Sequence, residues 1–207
     1  MISLKMTKIA LLLSLFLAPL VAGVLGFFLG RHRFKITRAL TVLSSFWVAV
    51  VGVYLASAAT EPLSLRLPWI TLGNFHLDFG LLYTPLAALM VVIVGAVGLA
   101  VSVFSVRYMR EDVSQARYFS AISLFLFSML GVVLCDNLLS VFVFWEMVGF
   151  CSYLLIGHFG TSTASAASRK AFLVNKIGDI AFITGIIWAF YAFGSADLSV
   201  INITPVS

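Results

Sequence analysis

The segment from Leu138 to Gly157 reads LLSVFVFWEMVGFCSYLLIG, and Glu146 is its one acidic or basic residue. As a helix, a run of this length spans about 30 Å, which matches the hydrocarbon core of a bilayer. Lipid offers no hydrogen-bond partners to the backbone, so such a run must form a helix or belong to a closed barrel. It lacks the alternation of a barrel strand. The segment therefore predicts a transmembrane helix.

Five further apolar runs share this character, in a chain that is 62% hydrophobic and 10% charged. The predicted helices cover residues 9–29, 39–59, 81–106, 118–134, 138–157 and 171–193. A signal peptide is the alternative for the first run, but the run is too long for one and comparable runs follow it. We expect an all-α integral membrane protein with about six transmembrane helices in a single membrane domain, residues 1–207.

Basic residues lie in short clusters between the apolar runs. Three loops carry most of them: Arg31, Arg33, Lys35, Arg38, Arg107, Arg110, Arg117, Arg169 and Lys170. The opposite side carries only Lys5, Lys8 and Arg66. Because basic loops stay in the cytoplasm, we expect these three loops to be cytoplasmic and the N-terminus to lie outside. Clusters of this kind contact a lipid bilayer and predict no nucleic-acid partner.

The connection at residues 60–80 differs from the other loops. It contains Pro62, Pro68 and a Gly73-Asn74 pair, flanked by alternating apolar residues such as Trp69 and Phe79. This pattern predicts a small β-hairpin on the outer face. An irregular loop with an interfacial tryptophan is the alternative.

Glu146 is the first candidate functional residue, because it lies near the middle of its predicted helix and cannot reach either membrane surface. A charged side chain at that depth costs about 2.5–3.5 kcal/mol on insertion scales. The carboxyl group must therefore be protonated or lie beside a cation, and either state allows proton exchange. Gly149, Tyr153 and Gly157 share its helix face, which favours packing against other helices. A protonated glutamate that only hydrogen-bonds between helices is the alternative.

Lys176 and Asp179 are the second and third candidates. They lie three residues apart in the sixth predicted helix, so both side chains lie on one side of it and can form an ion pair. One interpretation is a self-compensated pair that merely helps insertion. The functional interpretation is that the pair biases the charge state of Glu146 or passes protons inward from it.

The sequence predicts no cofactor or metal on this chain. It contains no phosphate loop or dinucleotide motif, and Cys135 and Cys151 form no ligand spacing. His158 and the other two histidines are interpreted as ordinary solvated or interfacial residues. Cys135, Asp136 and Asn137 are interpreted as a helix stop followed by an N-cap.

Several motifs from Arg107 to Phe193 identify a family resemblance. They are Asp136-Asn137-Leu138, Trp145-Glu146, the run from Ser152 to Gly157 (SYLLIG) and the run from Lys170 to Asp179 (KAFLVNKIGD). In these motifs the chain resembles the N-terminal part of the antiporter-like subunit L (chain 5) family of NADH:quinone oxidoreductase, respiratory complex I. The resemblance implies a bundle of two inverted repeats of five helices. It also implies a proton pathway that includes Glu146 and Asp179, with Lys176 at a position usually occupied by arginine.

The resemblance also carries expectations about the rest of the protein. The chain ends before the seventh helix, so the lysine that the family places opposite Glu146 is missing, and we expect the chain to be truncated. NADH, FMN, iron–sulfur clusters and quinone are expected on partner subunits, within the cell inner (plasma) membrane. Thr84 or Tyr83, and Ser102, stand where the family usually has aspartate and histidine.

Three functional hypotheses follow. The first is a proton-translocating membrane subunit of NADH:quinone oxidoreductase, which couples quinone reduction to proton pumping. The second is a subunit of a multisubunit Na+/H+ antiporter or of a related ion or inorganic-carbon transporter. The third is a purely structural membrane scaffold.

Overall fold

A computed structural model describes residues 2–29, 34–58, 61–72 and 75–202 of the chain. Within them, six helices are long and apolar enough to cross a membrane. They are α1 (Ile2–Leu29), α2 (Phe34–Ala58), α3 (Pro85–Tyr108), α4 (Gln115–Leu134), α5 (Leu138–Ile156) and α6 (Ser162–Phe193), followed by the short α7 (Leu198–Ile201). The expected fold, an all-α membrane bundle of six long helices, is confirmed.

Five of the six helix starts differ from the predicted ones: the second helix begins at Phe34 and the fourth at Gln115, five and three residues early. The first helix begins at Ile2 and the sixth at Ser162, where the side chain of Thr161 accepts a hydrogen bond from the N–H of Ala164. Apolar run length marks only the part of a helix that lies in lipid, so it misses polar first turns. The third helix begins at Pro85, because Thr84 provides the N-cap by accepting from the N–H of Ala87.

Residues 81–83, predicted as helical, instead end a β-hairpin. Strand β1 (Leu63–Leu72) pairs antiparallel with β2 (Phe75–Tyr83), which confirms the hairpin over the irregular loop. A bulge follows Pro68, as expected for a residue that has no N–H to donate. The Gly73-Asn74 turn and the side chain of Trp69 lie outside the described part of the chain.

Helix α4 lies at the centre of the bundle and packs against α1, α2, α3 and α5. Its Phe127 joins Phe16 and Phe144 in an aromatic cluster with ring centroids 4.8–5.8 Å apart. Gly131 allows this packing, because a Cβ atom there would overlap the ring of Phe144. The cluster fixes α5, the helix that carries Glu146, against α4.

A seam of hydroxyl groups joins α2, α3 and α4. The Oγ atoms of Ser45 and Ser102 lie 2.9 Å apart, and Ser123 donates to Oγ1 of Thr41 at 2.8 Å. All four side chains are fully buried. Ser102 thus takes part in helix packing, where hydroxyl pairs stabilise contacts between membrane helices.

At one end of the bundle, Asp136 and Asn137 connect the hairpin to α5 and to the segment after α6. We call these two residues the hairpin anchor. The side-chain amide of Asn137 donates to the carbonyl of Asp78 at 2.8 Å, and its oxygen caps α5 by accepting from the N–H of Ser140 at 2.8 Å, which confirms the predicted N-cap. Asp136 lies 2.9 Å from Nε of Arg66, and its carbonyl accepts from the N–H of Leu198.

Charge is concentrated around this anchor. Arg66 also lies 3.4 Å from Asp197, which follows α6. Burial raises the pKa of Asp197, as do the nearby charges of Asp136 and Asp78, whereas Arg66 lowers it. The segment before α5 and the segment after α6 meet at the anchor. The anchor therefore fixes the position of these two helices relative to each other.

Replacing Asn137 with alanine should lower the free energy of unfolding by about 2 kcal/mol. The change removes the α5 cap and leaves the carbonyl of Asp78 without its donor. Chemical unfolding of the purified chain in mixed micelles measures the effect. Asn202→Ala is the matched control, since Asn202 is exposed and a change there should cost less than about 0.5 kcal/mol. Equal losses in the two variants would contradict the anchor.

Candidate proton-handling site

Helices α5 and α6 carry the three residues singled out from the sequence. Glu146 is near the middle of α5, a helix of 19 residues, whereas Lys176 and Asp179 are near the middle of α6, which has 32. Both helices stay regular through these positions, so the backbone offers no polar partner to the side chains. The charged groups must therefore find partners among themselves or in water.

The structure brings all three side chains together. Nζ of Lys176 lies 3.0 Å from a carboxylate oxygen of Asp179, one turn along the same helix. The same nitrogen forms an ion pair with the carboxylate of Glu146 on α5. One ammonium group is thus shared by two carboxylates, one from each helix. We call these residues the charge triad.

The members of the triad differ in exposure. The side chain of Asp179 is 8% exposed, whereas those of Glu146 and Lys176 are 30% and 36% exposed. Asp179 is therefore enclosed between the helices, and the Glu146–Lys176 pair lies at the open edge of the α5–α6 contact.

The charge balance of the triad decides its chemistry. With all three groups ionised, the two carboxylates exceed the single ammonium by one negative charge. An uncompensated charge is expensive in a medium of low dielectric constant, so one added proton relieves the cost. Because Lys176 reaches both carboxylates, its ammonium group can pair with the acid of either helix.

A small cavity of about 90 Å³ adjoins the triad between α5 and α6. Its polar lining comes from Ser152, Asn175, Lys176 and Asp179, and Glu146 lies outside it. A cavity of this size has room for water. It adjoins both the lysine and the enclosed aspartate.

Phe172 positions the lysine. Its ring centroid lies 5.0 Å from Nζ of Lys176, within the range of a cation–π interaction. Phe172 precedes Lys176 by four residues and so shares its helix face.

The helix face predicted to support Glu146 does pack against α6. Gly149 faces the side-chain amide of Asn175, the ring of Tyr153 lies 5.5 Å from that of Phe172, and Gly157 approaches Ser168. Sequence reasoning identified this face but missed its partners Ser152, Phe172 and Asn175. Of these three, only Phe172 could have been identified from the sequence, because it lies four residues before Lys176.

His158 is buried, so its interpretation as a solvated histidine is wrong. The side chain is 2% exposed, and Nε2 lies 3.3 Å from a carboxylate oxygen of Asp112. Tyr118 and Phe159 pack edge-on against its ring. The residue sits at the end of α5, where the chain turns beneath α4 and encloses it. His32 and the side chain of His76 lie outside the described part.

Two family models match the chain. The first, described as NADH-Ubiquinone oxidoreductase (complex I), chain 5 N-terminus, covers residues 69–119. The second, described as NADH:quinone oxidoreductase/Mrp antiporter, TM, covers residues 135–205 and includes the whole triad. Together they span more than half of the sequence. The chain belongs to this antiporter-like family.

Curated members of the antiporter-like family show the same relationship. The chain is 37% identical over 196 residues to NAD(P)H-quinone oxidoreductase chain 5 of Synechocystis sp., covering 92% of this chain and 29% of that protein. It is 35% identical over 176 residues to chloroplastic subunit 5 of Chaetosphaeridium globosum, covering 83% and 26%. The chain thus spans less than a third of the length of these relatives.

Two solved structures share the fold. A chain of the Mrp complex from Dietzia sp. superposes with a TM-score of 0.78 at 23% identity, covering 97% of this chain and 21% of that one. A chain of an archaeal membrane-bound sulfane sulfur reductase gives 0.71 at 24% identity, covering 89% and 28%. These matches show that both chains share the fold described above.

The ion pair between Glu146 and Lys176 is tested by measuring the energetic coupling between the two residues. In a double-mutant cycle of Glu146→Gln and Lys176→Gln, the free energies of unfolding should depart from additivity by at least about 0.5 kcal/mol, because each change removes the other's partner. Pairing Glu146→Gln with Lys170→Gln is the control, since Lys170 is exposed and outside the triad. Additive effects in both cycles would contradict the ion pair.

Proposed function

We propose that this chain is part of a proton-translocating membrane subunit of an NAD(P)H:quinone oxidoreductase. The observation that carries the proposal is the ammonium of Lys176 shared by carboxylates on two membrane helices. The names of the curated relatives support the reaction, and the family model over residues 135–205 includes every member of the triad. A purely structural scaffold would not need an excess carboxylate at this depth.

Movement of Lys176 between its two partners would drive the proton. When the ammonium lies nearer Asp179, Glu146 loses its cation and takes up a proton. When the ammonium returns to Glu146, that carboxyl group passes its proton to Asp179, which releases it to the cavity when the ammonium next approaches Asp179. Each cycle moves one proton between the open edge of the triad and the hydrated cavity, and charge is conserved at every step.

The redox chemistry would reside on partner subunits. We infer that NADH, FMN, iron–sulfur clusters and quinone bind there, and that changes in charge along the membrane domain shift Lys176. The exposure of the triad supports the presence of neighbouring protein subunits. Side chains that are 30% and 36% exposed at mid-membrane depth need protein or water beside them rather than lipid. The relatives and the superposed chains are likewise subunits of membrane complexes.

The distribution of basic residues supports an orientation. Lys35, Arg107 and Arg169 lie at the end of the bundle opposite Lys8, whose ammonium donates to the carbonyl of Ala58 at 2.6 Å. We propose that the basic end faces the cytoplasm, that the N-terminus lies outside and that the chain resides in the cell inner (plasma) membrane.

A Na+/H+ antiporter subunit is the second candidate. The description of the family model over residues 135–205 names the Mrp antiporter beside the oxidoreductase. In that case an existing gradient, rather than electron transfer, would move the same triad. The curated relatives favour the oxidoreductase.

Glu146→Gln in the complex that contains this chain should abolish most proton pumping, because the neutral amide cannot exchange a proton. In inverted membrane vesicles, NADH-driven quenching of a pH-sensitive dye should fall at least about tenfold per NADH oxidised. Glu111→Gln is the matched control, since Glu111 is exposed in the turn between α3 and α4.

Two outcomes would overturn parts of this proposal. Unaltered pumping in the Glu146 variant would remove the triad from the proton path. Acidification that follows an imposed Na+ gradient and does not respond to NADH would favour the antiporter function over the oxidoreductase function.

A further inference from the structure

A polar cavity of about 320 Å³ opens at the basic end of the bundle. It lies where the beginning of α4, the end of α5 and the beginning of α6 meet. Its lining includes Arg117, Tyr153, Gly157, Ser165, Ser168 and Arg169. Ser168 packs closely against Gly157, where a side chain would narrow the space. The described residues that line the cavity include two guanidinium groups and no carboxylate.

The positive charge of this cavity is not neutralised within the described chain. Arg117 uses one nitrogen to donate to the carbonyl of His158 at 2.7 Å, which leaves most of its donors available. The neighbouring carboxylate of Asp112 is engaged by the ring of His158. Arg169 is exposed and forms no ion pair with any described residue. Both arginines can therefore bind an external anion.

An apolar groove of about 370 Å³ continues from the cavity along α5 and α6. Phe150, Phe172 and Leu173 line it, and Tyr153 and Arg169 belong to both spaces. Phe150 lies seven residues before Gly157, about 10 Å deeper along α5. Phe150 is 52% exposed and Leu173 is 64% exposed, so no described residue closes the side of the groove.

We infer that the cavity and the groove together form a binding site for an anionic glycerophospholipid. The phosphate would lie between Arg117 and Arg169, where guanidinium groups form paired hydrogen bonds with phosphate oxygens. One acyl chain would fill the groove, and Tyr153, polar at one end and apolar at the other, would mark the boundary between them. An amphiphile with one negative head matches this adjoining pair of surfaces in both charge and polarity.

Charge selects among the lipids available. A zwitterionic headgroup would bring its own cation towards two guanidinium groups, whereas phosphatidylglycerol brings none. A free phosphate ion would satisfy the arginines but leave the groove unused. The site also lies at the end of the bundle that carries most basic residues, the end expected to meet the anionic leaflet.

The site adjoins the charge triad through one residue. Phe172 lines the groove and also lies beneath the ammonium of Lys176. A bound acyl chain would restrict the ring and, through it, the lysine. Lipid binding itself is measured without proton transport, so its test is separate from that of the proposed function.

Native mass spectrometry of the purified chain in detergent tests the site. The probes are palmitoyl-oleoyl phosphatidylglycerol, the matching phosphatidylcholine and glycerol 3-phosphate. We expect phosphatidylglycerol to bind about tenfold more tightly than phosphatidylcholine, and glycerol 3-phosphate not to compete at equal concentration. The double variant Arg117→Gln/Arg169→Gln should lose about tenfold to thirtyfold in affinity for phosphatidylglycerol, since each basic residue near the membrane surface contributes a few-fold.

The double variant Arg110→Gln/Lys170→Gln is the matched control. It removes the same charge from the same end of the bundle, at exposed residues that line neither space, and should lose less than about twofold. An equal loss in both double variants would show diffuse surface attraction and overturn the site. Effective competition by glycerol 3-phosphate would overturn the lipid in favour of a soluble phosphate.

Photocrosslinking of the unaltered chain keeps the test valid if a variant fails to fold. Phosphatidylglycerol with a diazirine on its acyl chain should label peptides that contain Phe150 or Leu173. Labelling confined to other helices would overturn the proposal.

Discussion

The proposed function depends on one interaction, an ammonium group that is shared by two carboxylates. Lys176 lies between Glu146 and Asp179 at the middle of two membrane helices, and the acids exceed the base by one charge. Lipid cannot stabilise that excess, so the cluster holds an exchangeable proton or needs polar neighbours. Glu146 and Lys176 are partly exposed, so an exchangeable proton and polar neighbours would both be found at this edge of the bundle.

The rest of the fold holds the two helices that carry this cluster. Packing of Phe144 against Gly131 of the central helix α4 fixes α5, whereas the backbone bonds of Asp136 and Leu138 to residues 196–198 fix the far end of α6. Gly149 and Gly157 let α5 and α6 approach closely. A small cavity next to the triad remains between the two helices.

Much of this arrangement could be predicted from the sequence, because run length and buried charge have direct physical causes. Glu146, Lys176 and Asp179 stood out since ionisable groups are expensive in lipid, and the hairpin followed from its turn residues and alternation. The contact of Glu146 with Lys176 could not be predicted, since it depends on the rotation and crossing of two helices. The pairing of Arg66 with Asp136, and the burial of His158, likewise depend on how distant segments meet.

Infrared spectroscopy of the carboxyl groups in lipid-reconstituted protein tests the central claim most directly. At one neutral pH, Lys176→Met should increase the absorption of protonated carboxyl groups, because both acids lose their shared cation. Adding Glu146→Gln should remove part of that increase and so assign it. An unchanged carboxyl spectrum in the Lys176 variant would contradict the account, because it would show that the ammonium does not decide where the proton resides.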